Sequence, residues 1–252
     1  MLISLLQLNI EAGRKLTSVI SFIKEKSFDV VHLQEVSGGE FAYEAQDCFS
    51  LLKKETGYEG ALSVDMNLKD PASYHGNATL FSSRKEKPIT HIVSFLPPKQ
   101  YLSKQEVVNK EIPRSAVVTS IRVNSKIITT INTHLVWGQT PEDTEGKLEV
   151  GKKLVQLMKT VPDSCILTGD FNVTPSSQII SWLKPFGSNL TVEYGLTNTL
   201  NPHLHKASHL FPPGVLSDYI IVSNSLSVVS FQLIDSPDLS DHFGLAVTVE
   251  VL

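Results

Sequence analysis

The chain has 252 residues, 41% hydrophobic and 19% charged, the balance of an ordinary globular protein. A formal net charge of −4 gives no support for a broad basic surface that grips nucleic acid by charge alone, while leaving room for a local basic groove. No apolar run reaches membrane-spanning length, and two cysteines, Cys48 and Cys165, cannot make a disulfide framework. The opening "MLISLLQLNI" lacks the basic start of a signal peptide and reads as a strand. "RKLTSVISFIKEK" then places Leu16, Val19, Ile20 and Ile23 at helical spacing, and "FDVVHLQEV" is a buried-strand run. "EAQDCFSLLKKETG" reads as a helix capped by Gly57. The middle is β: "NATLFSS", "ITHIVSFL", then "SAVVTSIRV" and "KIITTINTHLV" as a hairpin across Asn124 and Ser125. Thr140 as cap, Pro141 at the first helical position and acids behind them predict the helix that runs to Val161. "SCILTGDFN" is a strand, and Thr174-Pro175 opens a helix over "SSQIISWLK". "LSDYIIVSN", "SLSVVSFQLID" and "HFGLAVTVEVL" close the chain as strands. No linker, repeat or low-complexity tract divides it, so the expectation is one domain over 1–252 and a monomer.

The polar residues of these strands fall at their ends. Asn9 ends the first, Glu35 the second, Asn132 and His134 end "ITTINTH", and Asp170 and Asn172 end "CILTGDFN". Asp218 begins "DYIIV", and Asp241 and His242 open the last strand. One carboxylate at a strand end is a turn or cap residue. Six such ends rich in Asp, Glu, Asn and His form a different pattern. Packed carboxylates repel one another and resist desolvation unless a cation sits among them. Oxygen donors of this kind suit Mg²⁺ or Mn²⁺, or Ca²⁺, over a thiolate-loving metal. His32, inside "VVHLQ", reads as a core histidine, and His203, His205 and His209 as members of a Pro-rich loop facing substrate or solvent.

In order, "LQLNI", "LQEV", "NTHL", "GDFN", "SDYI" and "SDHFGL" resemble the motif series of the endonuclease/exonuclease/phosphatase superfamily, the deoxyribonuclease I-like proteins, from Asn9 to Gly244. The resemblance implies an α/β fold, a four-layered α/β sandwich of two packed mixed β-sheets flanked by helices. It also implies one divalent-metal site, for Mg²⁺ or Mn²⁺, and in-line attack of an activated water on a phosphoric ester. Carried across, Glu35, Asn9 and Asp241 resemble the metal-binding residues. His242 resembles the catalytic histidine, Asp218 the acid that orients it, Asp170 and Asn172 the pair that positions nucleophile and phosphate, and His134 the histidine beside the phosphoryl oxygens. The sequence alone leaves open whether Asp218 or its neighbour Asp241 touches the imidazole. Arg114, in "EIPRSAVV", and His75 and Asn77, in "SYHGNATLFSS", are the candidate substrate-binding residues.

These residues give a divalent-metal-dependent phosphodiesterase or nuclease as the leading expectation, with DNA or RNA among its substrates and a cytoplasmic location, nuclear in a eukaryote. The alternatives are a phosphomonoesterase on a small metabolite or lipid headgroup, and a catalytically silent binding protein. "LQEV" and "INTHL" depart from the apurinic/apyrimidinic endonuclease pattern, and Leu8 and Thr174 depart from that of 5′-tyrosyl-DNA phosphodiesterase. Specificity is left to the loops 65–76, 97–112 and 201–216.

Overall fold

The computed structural model describes residues 1–82, 88–107, 112–123, 125–206 and 214–251. Asn124 of the expected hairpin turn, His209, and the inner parts of the 97–112 and 201–216 loops lie outside the described residues. The first half holds β1 (Leu2–Asn9), α1 (Leu16–Lys26), β2 (Val30–Ser37), α2 (Cys48–Thr56), β3 (Glu59–Leu68), β4 (Tyr74–Phe81), β5 (Ile89–Ser94), β6 (Lys99–Tyr101) and β7 (Ser115–Val123). The second half holds β8 (Lys126–His134), α3 (Glu145–Met158), β9 (Cys165–Asp170), α4 (Gln178–Leu183), β10 (Ser188–Asn189), α5 (Leu190–Glu193), β11 (Asp218–Val222), β12 (Ser227–Ile234) and β13 (Gly244–Glu250). Among the described residues these strands form two mixed sheets, β12-β13-β1-β2-β4-β3-β6 and β10-β11-β9-β8-β7-β5.

Strand alternation sets the layers. Ile3 and Leu5 of β1, Val30 of β2, Ile128 of β8, Ile166 of β9 and Ile220 of β11 meet between the sheets. Leu6, Leu8 and Leu33 face the opposite way and carry α1 and α2 through Val19, Ile23 and Leu52. Ile131, Leu167 and Tyr219 do the same on the other sheet, beneath Leu154 of α3 and Ile179 of α4. Each such side chain contributes about 1.5–3 kcal/mol on burial. The result is helix, sheet, sheet, helix, with no helix among the described residues long and apolar enough to cross a membrane.

The same alternation places the polar residues. On the inner face Leu5 is followed by Gln7 and Asn9, Val30 by His32 and Gln34, Ile128 by Thr130, Asn132 and His134, and Ile166 by Thr168 and Asp170. The space between the sheets therefore grades from aliphatic at one end to polar at the other. Register then gathers the ends: Asn9 lies opposite Gln34, His134 opposite Asp170, and Asp218 opposite Asp170. Gly169 is required there. At φ +156°, it brings β9 so close to β8 that a Cβ would lie 1.9 Å from the Thr133 carbonyl oxygen.

His32 sits in the middle of this gradient, fully buried, with Nδ1 2.7 Å from Thr168 Oγ1 and Nε2 3.1 Å from Thr130 Oγ1 across the sheets. Burial pushes its imidazole down from 6.5 to about 3. Below its ordinary value the unfolded chain takes up a proton that the folded chain refuses. The stability it contributes is therefore whole above pH 6.5 and is lost as the pH falls toward 3, by about 1.4 kcal/mol per pH unit at full slope. His32→Leu is expected to weaken the protein at neutral pH, where two threonines lose a partner, yet to flatten the fall of the urea midpoint as the pH drops below 6.5. A slope identical to wild type would remove this account.

Two helix starts differ from the sequence reading. The helix expected from Pro141 begins at Glu145, with Thr144 as cap, its side chain accepting from Lys147 N. The reason is competition: Asp143 is drawn away to Ser177 Oγ and Gln178 N, where it braces the start of α4, and the Thr140 carbonyl is held by Lys147 Nζ. α4 in turn starts after Ser177, whose hydroxyl caps Ile179 N. β3, β6, β10 and α5 carry no strong sequence pattern and are seen first in the structure.

Candidate active site

His242 meets Asp218. Its Nδ1 lies 2.9 Å from Asp218 Oδ2, and both groups are buried. Asp218 is held from behind: Gln7 Nε2 donates to Oδ1 at 2.9 Å and Ser217 Oγ donates to Oδ2 at 3.1 Å. Gln7 also donates to Gln34 Oε1, Gln34 to Asn132 Oδ1, and Asn132 to the Leu33 and Ala78 carbonyls. This chain of amides fixes the acid before the imidazole meets it. Burial disfavours charge on His242, but Asp218 and Asp170 outweigh that and hold its pKa well above 6.5. Asp241, its neighbour in sequence, accepts from Ser240 Oγ at 3.2 Å and acts on the imidazole through its charge.

The carboxylates of the cleft crowd one another. Asp170 Oδ2 accepts from Asn9 Nδ2 at 3.1 Å, its Oδ1 accepts from Asn172 N at 3.0 Å, and His242 Nε2 stands 3.8 Å from Oδ2. Burial, with Asp218 and Glu35 nearby, raises its carboxyl to about 7. Glu35 sits where β2 slips register against β4, between Leu33 and Val36, with φ at +56°. That bulge re-aims its side chain into the cleft. Burial and the nearby Asp241 raise the Glu35 pKa, while the Asn9 amide and His242 oppose the rise. Glu11 completes the group, raised by burial and by Asp241 although Arg14 Nη1 lies 3.2 Å from its Oε1. Acids held above their usual range with few cations among them are a donor set that suits a hard divalent ion. His205, Asp241 and His242 present ligand atoms within 4.8 Å of one another, as do Asp170, Asp218 and His242.

Opposite the carboxylates stand neutral rings and one buried cation. His134 Nε2 accepts from Asn172 Nδ2 at 2.9 Å, because an amide nitrogen has only hydrogens to offer. Burial, Arg114, His75 and His242 all push the His134 imidazole well below 6.5, so the ring is neutral. His75 is likewise pushed down to about 3 by burial, and its Nδ1 lies 2.8 Å from Ser37 Oγ. Arg114 is buried, its Nε donating to the Leu135 carbonyl at 2.9 Å, and it feels Asp65, Glu35 and Asp170. Asn172 holds a left-handed backbone, φ +55°, which Asn tolerates better than most residues.

A cleft of about 900 Å³ opens over these groups, lined by Glu35, His75, Arg114, His134, Asp170, Asn172, Asp241 and His242 among others. Asn9 and Asp218 lie one layer behind the wall. So does Asn77, whose Nδ2 donates to Asp65 Oδ2 at 3.1 Å. Asp65, also bonded by Ser115 and beside Arg114, is raised by burial to about 7. Sequence reasoning missed Glu11, Gln7, Gln34, Asp65 and the buried Lys147. Only Glu11 had a usable signal, an acid two residues past Asn9 in "LNIEAG". His205 lines the cleft with its ring edge-on to His242, centroids 5.7 Å apart, while His203 is exposed. Asn201 staples that segment to the loop bearing Asp241, donating to the Pro237 and Ser240 carbonyls.

None of the curated proteins compared with the chain matches it. Solved structures do. The endonuclease/exonuclease/phosphatase from Bacteroides vulgatus is 16% identical at a TM-score of 0.74, with 100% of both chains covered. The Bacteroides thetaiotaomicron VPI-5482 mannosyl-6-phosphatase is 17% identical at a TM-score of 0.70, covering 98% of this chain and 99% of its own. D. rerio TDP2, solved with a single-strand DNA product, is 15% identical at a TM-score of 0.67, with 99% of each chain covered. Likeness at such identities establishes the shared fold. The profile of the Endonuclease/Exonuclease/phosphatase family matches residues 6–242, nearly the whole length, and the chain belongs to that family.

Proposed function

We propose that the protein is a divalent-metal-dependent phosphodiester hydrolase acting by in-line attack of an activated water. The observation that carries this reading is the Asp218–His242 pair, oriented by Gln7, facing a cleft that also holds Glu35, Asp170 and Asp241. Glu35 and Asp241 are the residues that would hold the ion, with Glu11 in the same wall of the cleft; Asn9, whose Nδ2 donates to Asp170 and whose oxygen accepts from Glu11 N at 3.1 Å, would join them by turning its amide oxygen toward the ion. Bound there, a divalent cation would supply charge stabilisation and polarisation of the phosphoryl group.

The protein's own groups do the rest. The charge of an ion held by Glu35 and Asp241 would offset the carboxylates that keep the His242 pKa well above 6.5 in the ion-free protein; the neutral ring takes the proton of the attacking water, and Asp218 fixes its tautomer and stabilises the imidazolium that forms. Asp170, next to Nε2, orients that water. Arg114 faces the phosphoryl oxygens, while the Asn172 amide, whose Nδ2 serves His134 Nε2 and the Leu135 carbonyl, holds the turn beside them in place. The test is a comparison of two chromogenic substrates. The protein with Mg²⁺ or Mn²⁺ is expected to hydrolyse bis-p-nitrophenyl phosphate and to leave p-nitrophenyl phosphate largely intact. Monoester cleavage alone would convert the reading to a phosphomonoesterase. Cleavage of neither, nor of any nucleic acid, would point to a silent binding protein.

A further inference from the structure

We propose that Trp137 sets the specificity of this cleft, as a platform on which an unpaired nucleobase stacks beside the phosphodiester to be cut; the inference rests on the hydrolase reading above. Among the described residues, Trp137 is the one exposed large apolar side chain that lines the cleft, and it is 63% exposed. An indole this open adds little to the fold, yet the backbone on either side of it is tied down. Two residues before it, the Leu135 carbonyl accepts from Arg114 Nε at 2.9 Å and from Asn172 Nδ2 at 3.3 Å. Three residues after it, the Thr140 carbonyl accepts from Lys147 Nζ at 2.7 Å, and the same ammonium donates to the Asn172 carbonyl at 2.8 Å. Lys147 is only 1% exposed, and burial lowers its pKa. Gly138 leaves room for it, since a Cβ there would lie 3.2 Å from Lys147 Cε. The segment 135–140 is thus tied on both sides of the indole to the Asn172 turn. A segment held beside the groups that face the phosphate leaves the indole alone to be ordered when a ligand arrives.

The remaining walls narrow the ligand. The lining mixes polar groups, Gln139, Thr140 and Ser217 among them, with the apolar Met66, Ile112, Leu200 and Val215. Sugar hydroxyls laid against the apolar four would lose water without gaining partners. An acyl chain would call for several exposed aliphatic groups at the rim, where the described residues offer one flat aromatic ring. A nucleobase has two π faces and a thin edge, and stacking tolerates any base. A base inside a duplex has no face to give, so it must be unpaired. Arg114 and Lys206 in the cleft, on a chain of net charge −4, suit a short single strand and do not suit a long duplex track.

The chain has two tryptophans, and Trp182→Phe leaves Trp137 as the sole reporter. In a His242→Ala, Trp182→Phe background, whose turnover is expected to be about 10²–10⁴-fold slower, oligothymidylate with Mg²⁺ is expected to quench the indole. Ribose 5-phosphate and phosphatidylcholine vesicles are expected to leave it unchanged. By anisotropy of a labelled oligothymidylate, adding Trp137→Ala is expected to raise Kd about tenfold. An unchanged Kd, or quenching by ribose 5-phosphate or vesicles equal to that by the oligonucleotide, overturns the inference. If wild type hydrolyses diesters but binding ignores Trp137, the platform falls and the hydrolase stands. If binding depends on Trp137 but wild type cleaves no phosphoester, the hydrolase reading falls and the platform stands.

Discussion

His242→Ala is expected to lower turnover of a phosphodiester by about 10²–10⁴-fold, the range for loss of a general base, while the protein stays folded. The two halves of that result have separate causes. The rate falls because, among the described residues, His242 is the imidazole bonded to Asp218; His134 is occupied by the Asn172 amide, His75 by Ser37, and the His205 ring stands 5.7 Å away, edge-on. The fold survives because Asp218 keeps its bonds from Gln7 and Ser217, so its carboxylate is not stranded. Asp218→Asn is the milder companion, since Gln7 still faces a carbonyl oxygen while the ring loses the acceptor that fixes its tautomer. Circular dichroism and a thermal melt, taken with kcat, separate loss of chemistry from loss of structure. Near-wild-type turnover in a folded His242→Ala protein would end the mechanism.

Glu35→Gln is expected to abolish most activity and yet to make the metal-free protein more stable. The raised pKa of Glu35 means that its ionised form is penalised by burial and by Asp241. An acid raised in the folded state contributes stability that is present below its ordinary value of 4.5 and lost as the pH rises through the folded value. A neutral amide of the same shape escapes that loss. The gain in EDTA should appear at neutral pH and vanish below about pH 4.5. A relief of about 1 kcal/mol corresponds to about 2–4 °C in a chain of this size. With Mg²⁺ the order should reverse, because wild type gains binding energy that the variant has lost; an ion at about 100 times its Kd stabilises by about 2.7 kcal/mol. Turnover is expected to fall about 10²–10³-fold, in line with the several kcal/mol a metal supplies. A variant that melts lower than wild type in EDTA at neutral pH would contradict the repulsion on which the metal site is argued.

The sequence exposed those parts of the site that sit at the ends of apolar strands. Asn9, Glu35, His134, Asp170 and Asp218 were visible because a buried strand makes any terminal polar residue conspicuous. Their convergence was not visible, since it follows from the parallel pairing of β1 with β2 and of β8 with β9 and from the antiparallel pairing of β9 with β11. Gln7 and Gln34 passed unnoticed because an amide inside a strand looks like an ordinary alternation partner. Lys147 was hidden more deeply: on a helix with lysines at 147, 152 and 153, nothing in periodicity marks the one that turns inward to two carbonyls. The start of α3 was misplaced for a related reason. Thr140, Pro141 and acids are sound local signals, but Asp143 serves a different helix, and tertiary demand outweighed local preference.

The most direct measurement is the rate of bis-p-nitrophenyl phosphate hydrolysis by the wild-type protein, first stripped with EDTA and then returned to excess Mg²⁺ or Mn²⁺. The expected result is no hydrolysis after stripping and recovery of turnover on adding either ion. Hydrolysis that continues undiminished in EDTA, or a protein that stays inert toward this diester with both ions present, would contradict a metal-dependent phosphodiesterase built on Glu35, Asp241, Asp218 and His242.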